Sequence, residues 1–163
     1  MPLIGIIGKK KDLREIKVSF RKKNVEIVQI SKDSISNIKN IKFDQIIFLE
    51  DLKVSKEFYE FMKEIISSAK YIILNGDIEI SIIKEIEIQK PIKVITFGFN
   101  LKSTITISSV KEEKIIVCLQ REIEKVNGEI IEIQEKELRL DERNKTKIYN
   151  KLVVFIIKEL HNL

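Results

Sequence analysis

Short apolar runs alternate with helical patterns through the first hundred residues of the chain. The runs are nearly continuous in apolar residues, which is typical of strands buried on both faces; they lie at residues 3–7, 25–30, 45–49, 71–75 and 93–97. Apolar side chains at helical spacing predict three helices between them, through Leu13, Ile16 and Phe20, through residues 58–69, and through Ile82, Ile83 and Ile86 before Pro91. Strands that alternate with helices predict crossover connections and a mostly parallel sheet with helices on both faces.

The pattern changes after Gly98. Residues 103–110 alternate Ile with Ser or Thr, which predicts a strand with one solvent-exposed face, and residues 114–120 predict its neighbour. Asn127-Gly128 indicates a two-residue hairpin, and a further strand is expected through Leu138 and Leu140. A final helix places Ile148, Leu152, Phe155, Ile156 and Leu160 on one face.

These elements predict one α/β domain over residues 1–163, with a three-layer, Rossmann-like sheet. Residues 1–100 form its parallel part, residues 101–141 an antiparallel meander and residues 143–161 the C-terminal helix. No apolar run approaches the roughly 20 residues of a membrane span, and no signal peptide is recognisable. We therefore expect a soluble, cytoplasmic protein.

Composition excludes several kinds of chemistry. Cys118 is the only cysteine and His161 the only histidine, so a disulfide framework, a Cys/His zinc site and a histidine-based nucleophile pair are disfavoured. We predict no catalytic residue and no metal site. Cys118 is expected to pack inertly within an apolar strand, and His161 to be solvated or to act as a cation at the C-terminus of a helix.

The net charge of +5 and the basic clusters at residues 9–11 and 21–23 raise the question of an anionic partner. Cations suit the end of a helix, and both clusters are expected to be solvated. Nucleic-acid binding is disfavoured because no aromatic-interleaved basic strand accompanies the charge. A regulator that uses these clusters on an anionic partner is retained as one alternative.

The turn after the first strand is the first candidate phosphate loop. The predicted strand leads into a Gly-x-x-Gly-Lys motif, formed by Gly5, Gly8 and Lys9. No Ser or Thr follows the lysines. Asp12 and Glu15 fit a helix-capping box, which would place a carboxylate on the amides that a phosphate needs. Two like charges about 4 Å apart cost roughly 4 kcal/mol at an effective dielectric constant near 20. ATP with magnesium is therefore disfavoured as a cofactor.

Two later turns carry a family resemblance. Asn75, Gly76 and Asp77 end one strand, Thr96, Phe97 and Gly98 end the next, and an antiparallel strand pair follows. Residues 71–110 thereby resemble the ATP-binding central domain of the Mur ligase superfamily. Asn144 and Asn150 are similar to two asparagines that open a later helix in that family.

The resemblance implies nucleotide contacts, since the first of these turns lies beside adenine and ribose in the family. It makes Gly5, Gly8, Lys9, Asn75, Asp77 and Gly98 the candidate nucleotide-binding residues. The structural alternative is that Asp77 caps the next helix and that Gly98 supplies a positive φ.

Departures from the family indicate lost catalysis. Lys11, Asp12 and Leu13 stand where the family loop has Gly-Lys-Thr, and only Glu50 or Asp51 could replace its magnesium-binding Glu. We therefore predict a non-catalytic Mur-ligase-like protein that binds an unknown protein partner, a second copy or a nucleotide-type ligand. A link to cell-wall metabolism is implied by the resemblance alone. The other alternative is a nucleotide-binding subunit of an ATP-dependent ligase that another chain completes.

Overall fold

The computed structural model describes residues 1–87 and 90–163. The strands within these residues are β1 (Leu3–Ile7), β2 (Glu26–Gln29), β3 (Gln45–Phe48), β4 (Tyr71–Asn75), β5 (Lys93–Gly98), β6 (Ile105–Val110), β7 (Lys114–Leu119), β8 (Ile123–Glu124), β9 (Ile130–Ile131) and β10 (Gln134–Arg139). The helices are α1 (Lys10–Val18), α2 (Ile35–Ile38), α3 (Lys56–Ser68), α4 (Ser81–Glu85) and α5 (Lys145–His161). All five predicted strands of the first hundred residues are present, whereas the short α2 was not predicted.

Eight strands form one sheet in the order β10-β7-β6-β5-β4-β3-β1-β2. All neighbouring pairs among β1 to β6 are parallel. Strand β7 runs antiparallel to both β6 and β10. The sheet is thus mostly parallel, and the predicted α/β fold class is confirmed.

Helices cover both faces of this sheet. Ile47 and Ile73 pack in the hydrophobic cluster that contains α1 and α5, whereas their chain neighbours Ile46 and Ile72 pack in the cluster that contains α2, α3 and α4. Successive residues of a strand point to opposite faces, so both faces bury apolar side chains. This arrangement explains why the central strands are continuous in apolar residues.

The meander differs from the prediction where it joins the sheet. β6 begins at Ile105 and pairs in parallel with β5, with Phe97 beside Ile105 and Gly98 beside Thr106. Its register with β7 shifts between Ile107 and Ser109. Thr106 is buried, so the predicted solvent-exposed face is limited to the second half of the strand.

The predicted hairpin forms, but outside the large sheet. β8 and β9 make a separate two-stranded sheet. The Lys125 amide donates to Glu129 and the Gly128 amide to Lys125, so residues 126–128 form the loop. Gly128 has φ of +87°, as expected for a type I turn followed by a left-handed residue. A two-residue turn was expected because Asn-Gly favours it.

Helix α5 carries the largest apolar surface of the second half. All five residues predicted to share its apolar face are buried. The helix begins after Asn144, whose side-chain oxygen accepts a hydrogen bond from the Lys147 amide at 2.9 Å. None of the helices in the described residues is both long and apolar enough to cross a membrane.

Cys118 and His161 lie in the predicted elements, but their degree of burial differs from the prediction. Cys118 is half-exposed on β7, because the alternation of that strand buries its neighbours Val117 and Leu119 instead. His161 is half-buried, and its Nε2 lies 2.7 Å from Nε2 of the fully buried Gln45. Burial lowers the pKa of His161, although the Asp44 carboxylate acts in the opposite direction and Lys70 and the N-terminus reinforce the lowering. His161 does lie in the last turn of α5, as predicted, but it is half-buried because α5 ends against the sheet.

This burial predicts a pH-dependent stability. The pKa of His161 is lower in the folded than in the unfolded chain, so the unfolded chain binds more protons and stability falls as pH drops below about 6.5. We expect urea unfolding at about pH 7.5 and about pH 5.5 to show a loss of stability in the native chain that His161→Gln largely removes. No second histidine titrates in this window, so an equal loss in both proteins would contradict the assignment.

Candidate functional site

A cleft lies at the carboxyl ends of β1, β3 and β4, where open α/β sheets usually bind ligands. Its volume is about 490 Å³, within the range of small-molecule pockets. The residues that line it come from three strand-to-helix connections, β1–α1, β3–α3 and β4–α4, and from the first turns of α5. They are Lys9, Asp12, Leu49, Glu50, Asp51, Asn75, Ile78, Thr146, Tyr149 and Asn150.

Three of the predicted nucleotide-binding residues, Gly5, Gly8 and Lys9, lie in β1 or in the turn that follows it. Gly5 lies inside β1, where an added Cβ would approach Ile30 Cδ1 to 2.5 Å, so its place in the structure is one of close core packing. The Gly8 carbonyl accepts a hydrogen bond from Gln29 Nε2 at 2.9 Å. Lys9 precedes α1, and its exposed Nζ lies 3.5 Å from Glu50 Oε1. Of these three residues, Lys9 lines the cleft, whereas Gly8 lies beside it in the turn and Gly5 in the strand.

Asp12 is placed differently from the capping box that the sequence predicted. Lys9 is the N-cap residue and caps with no side-chain hydrogen bond, so Asp12 lies in the first turn of α1 instead. The side chain of Asp12 is only 6% exposed. A carboxylate in this turn is favoured by the helix dipole, so the negative charge remains at the end of β1 although the capping role is wrong.

Asp12 belongs to a set of four polar residues that join α1 to α5. We call this set the α1–α5 polar cluster: Asp12, Glu15, Lys147 and Asn150. Asn150 Nδ2 donates to Asp12 Oδ1 at 3.3 Å and to Glu15 Oε2 at 3.2 Å, and Lys147 Nζ donates to Glu15 Oε2 at 2.7 Å. The hydrogen bond that Lys147 donates to Glu15 raises the pKa of Lys147.

This cluster was not predicted from the sequence. The signal was present, because Asn150 interrupts the apolar face of α5 and is only 2% exposed. A buried amide needs polar partners. The partners lie on α1, which is distant along the chain. The sequence therefore indicates that the Asn150 amide needs polar partners but not which residues they are.

The two turns that resemble the Mur ligases are bonded to each other. The Asp77 amide donates to Asn75 Oδ1 at 3.0 Å, and Asn75 Nδ2 lies 3.5 Å from the Leu49 carbonyl. The Asp77 carboxylate accepts hydrogen bonds from the amides of Phe99 and Asn100 at 2.8 and 2.7 Å. Their polar groups thus already have partners within the chain.

Tyr149 of α5 completes this arrangement. Its hydroxyl donates to Asp77 Oδ2 at 2.6 Å, and its ring packs edge-on against Phe97 and Phe99. Burial, together with the hydrogen bond to Asp77 and its negative charge, raises the pKa of Tyr149. The phenol therefore stays a donor to the carboxylate at neutral pH.

The structural alternative predicted that Asp77 caps α4. This prediction is wrong, because Ile80 is the N-cap residue of that helix. The Ser81 amide and hydroxyl, at the start of α4, both bond to the Asp51 carboxylate at 2.9 Å. This contact joins the β3–α3 loop to α4. Gly98 does have a positive φ, +144°, as expected.

The acidic residues of the cleft do not form a metal centre. Within residues 1–87 and 90–163, no group of three or more His, Cys, Asp or Glu side chains is arranged to hold a metal ion. Asp51 is engaged by Ser81, and Glu50 faces Lys9. The cleft therefore brings together Lys9, Asn75 and most of the predicted acidic residues, but each is bonded to a neighbouring side chain or loop.

The order of strands and the two covered faces define a mostly parallel α/β fold, and comparison with solved structures finds a similar fold. The chain is similar to the UDP-N-acetylmuramoylalanyl-D-glutamyl-2,6-diaminopimelate--D-alanyl-D-alanyl ligase from Acinetobacter baumannii, with a TM-score of 0.57 and 10% identity. The match covers 99% of this chain and 44% of that ligase, so the chain spans less than half of its length. No protein-family model and no curated protein matches the sequence. At this identity, the likeness establishes the fold.

The contact between Gly98 and Asp77 can be tested by substitution. An added Cβ at Gly98 would lie 2.6 Å from Asp77 Oδ2, which hydrogen bonds hold in place, and φ there is unfavourable for other residues. We expect Gly98→Ala to lower the free energy of unfolding by about 2 to 4 kcal/mol. Gly128→Ala is the matched control, because its φ is also positive but nothing lies within 4 Å of the added atom; it should cost about 1 kcal/mol. Equal losses in urea unfolding would contradict the close packing at Gly98.

The hydrogen bond from Tyr149 to Asp77 gives a second prediction. Tyr149→Phe leaves the ring contacts in place and removes one donor from a charged acceptor, so we expect a loss of about 2 kcal/mol in the free energy of unfolding. Tyr59→Phe is the control, since the Tyr59 hydroxyl donates to the neutral Glu85 carbonyl at an exposed position. If the control loses as much stability as Tyr149→Phe, the charged hydrogen bond is not what stabilises this turn.

Proposed function

We propose that this chain is a non-catalytic binding protein with a Mur-ligase-like fold, whose cleft does not accept a nucleoside triphosphate. The observation that carries the proposal is the position of Asp12. Its buried carboxylate lies in the first turn of α1, at the end of β1, and is bonded to Asn150. A phosphate would need the amides of this turn and would meet a negative charge there instead.

The charge of the whole cleft supports the same proposal. Among its described lining residues, three carboxylates, Asp12, Glu50 and Asp51, face a single ammonium group, that of Lys9. The ion pair of Lys9 with Glu50 further reduces what that cation can offer a phosphate. A triphosphate carries several negative charges, and electrostatic complementarity would require the opposite balance.

The polar groups that could recognise a base or a sugar are also engaged. Asn75 and Asp77 bond to each other and to neighbouring loops, and Tyr149 donates to Asp77. A nucleotide would have to break these contacts, and a buried group that loses its partner costs about 1 to 3 kcal/mol. We therefore assign Asn75, Asp77 and Gly98 to the positioning of the two turns.

Binding to a protein partner or to a second copy of the chain is the activity that we propose instead. A link to cell-wall metabolism enters this proposal through the fold resemblance alone. The second candidate is a nucleotide-binding subunit that another chain completes. The volume of the cleft, about 490 Å³, favours this candidate, because it is large enough for a small-molecule ligand.

Thermal unfolding with magnesium ATP separates these functions. A ligand at a hundredfold excess over its dissociation constant stabilises a protein by about 2.7 kcal/mol, which raises the melting temperature of a domain of this size by several degrees. We expect no such increase for the native chain at about millimolar nucleotide. An increase of several degrees that Asn75→Ala abolishes would overturn the non-catalytic proposal in favour of a nucleotide-binding subunit.

Removal of the Asp12 charge tests the physical reason. Asp12→Asn keeps the size of the side chain and removes its negative charge, so the affinity for inorganic triphosphate with magnesium should rise by about tenfold or more. Asp33→Asn, at an exposed position away from the cleft, is the matched control and should change nothing. If both variants bind triphosphate as weakly as the native chain in calorimetry, the Asp12 charge is not the barrier.

A further inference from the structure

A row of exposed cations runs along the solvent side of α1 and into the loop that follows it. Lys10, Arg14 and Lys17 succeed one another at four- and three-residue spacing, which places them on one face of the helix. A different face of α1 is buried, through Leu13 and Ile16. With the cations of the following loop, this row forms what we call the α1 basic surface: Lys10, Arg14, Lys17, Arg21, Lys22 and Lys23, all exposed.

This part of the chain accounts for the net charge of the whole protein. Residues 9–26 contain eight Lys or Arg against three Asp or Glu, and this excess equals the net charge of +5 of the chain. The remaining residues carry equal numbers of positive and negative side chains. A positive stripe along a helix, in a chain with an isoelectric point of about 9.1, is the electrostatic footprint of nucleic-acid binding.

The three acidic residues of this segment leave the α1 basic surface without ion pairs. Asp12 is buried and accepts a hydrogen bond from Asn150 of α5. Glu15 is paired with Lys147 of α5, and Glu26 lies beyond the row, at the start of β2. Within residues 1–87 and 90–163, none of the six cations forms a salt bridge.

Two further carboxylates approach α1 from the loop between β10 and α5. Asp141 and Glu142 line a cavity together with Ser19, which follows the last residue of α1. Arg139 lies 3.9 Å from Asp141, and the side-chain amide of Asn144 donates to Glu142. Both carboxylates thus already have a partner in or beside their own loop.

The stability of α1 does not explain the row of cations. Like charges at three- and four-residue spacing, as in Lys10, Arg14 and Lys17, destabilise a helix. Lys10 also lies in the first turn, where the helix dipole disfavours a cation. The row therefore weakens the helix that carries it, and a bound polyanion would reverse this effect.

The surroundings of the row favour a nucleic-acid duplex over other polyanions. Val18 is the only large apolar side chain exposed in residues 9–26, and the apolar face of α1 is buried in the core, so the helix cannot insert into a membrane surface. Phe20, the only aromatic residue of the segment, is also buried, so the stacking that single strands need is absent.

A duplex needs neither an apolar anchor nor an aromatic side chain. It presents one phosphate per about 1.7 Å of its axis, and cations alone can bind these phosphates. An acidic polypeptide carries at most one charge per about 3.3 Å of extended chain. The duplex therefore offers the higher density of negative charge to a row of cations.

We propose that the α1 basic surface binds double-stranded nucleic acid through its phosphate backbone, without reading the base sequence. Lys10 to Lys17 span about 10 Å along α1, which is enough for several phosphates. Arg14 and Arg21 carry planar guanidinium groups, each of which can donate two hydrogen bonds to one phosphate. The surface shares no residue with the cleft at the strand ends, so this inference and the proposed function can fail separately.

Fluorescence anisotropy with a labelled DNA duplex of about 20 base pairs tests the proposal. We expect micromolar binding at about 50 mM salt and a dissociation constant about a hundredfold higher at about 200 mM, because about four phosphates release their counterions. A duplex of unrelated sequence should bind equally well. No binding at the lower salt concentration, or a dissociation constant that salt does not change, would overturn the proposal. Tighter binding of phosphatidylserine vesicles or of polyglutamate, at the same concentration of charge, would also overturn it.

A charge variant links the binding to α1. Arg14→Gln removes one cation from an exposed position, so the chain should still fold, and the dissociation constant for the duplex should rise about fivefold, with a salt slope smaller by about one. Arg121→Gln removes the same charge at an exposed residue outside the α1 basic surface and should leave both quantities at their native values. An equal change in both variants would indicate general attraction to a basic protein and would contradict the assigned surface.

Discussion

The placement of α5 against the sheet is the constraint on which the rest of the molecule depends. The helix buries its apolar face in one hydrophobic cluster with residues of β1, β3, β4, β5, β6 and β7, and polar contacts fix both of its ends. Tyr149 and Asn150 bind Asp77 and Asp12 near its start, and His161 meets Gln45 at its end. Burial of the apolar face contributes free energy of folding but does not fix the orientation of α5. The hydrogen bonds at its two ends set its rotation and register. The cleft exists because α5 lies in this position, since Thr146, Tyr149 and Asn150 of this helix line it.

The parts of the fold that the sequence predicted are those with a local signal. Ile46 and Ile47 are both fully buried, on opposite faces of the sheet. A continuous apolar run in the sequence predicts this kind of burial. The apolar face of α5 follows from helical spacing in the same way. The positive φ of Gly98 was also predictable, because few other residues accept it.

The polar contacts were less predictable because their partners are distant along the chain. Asp12 and Asn150 are separated by 138 positions and Gln45 and His161 by 116. A short acidic motif before a helix favours a cap when only its neighbours in sequence are considered. In the structure, however, Asp12 bonds to α5, and Asp77 bonds to the β5–β6 turn and to Tyr149. The hairpin at Asn127-Gly128 shows the same limit, since its turn was recognisable but its separation from the large sheet was not.

A fold depends on its buried layers, whereas a reaction depends on a few polar groups at the edge of the sheet. A ligase-like fold is therefore compatible with the proposal of a non-catalytic protein. Here the groups at the strand ends stabilise the fold themselves. Asp51 binds the start of α4, Asp77 binds the next turn, and Asp12 binds α5. A ligand that recruited them would have to replace those bonds with equally good ones. The Asn150 amide that donates to Asp12 therefore stabilises the contact of α5 with α1 and keeps a carboxylate at the strand ends at the same time.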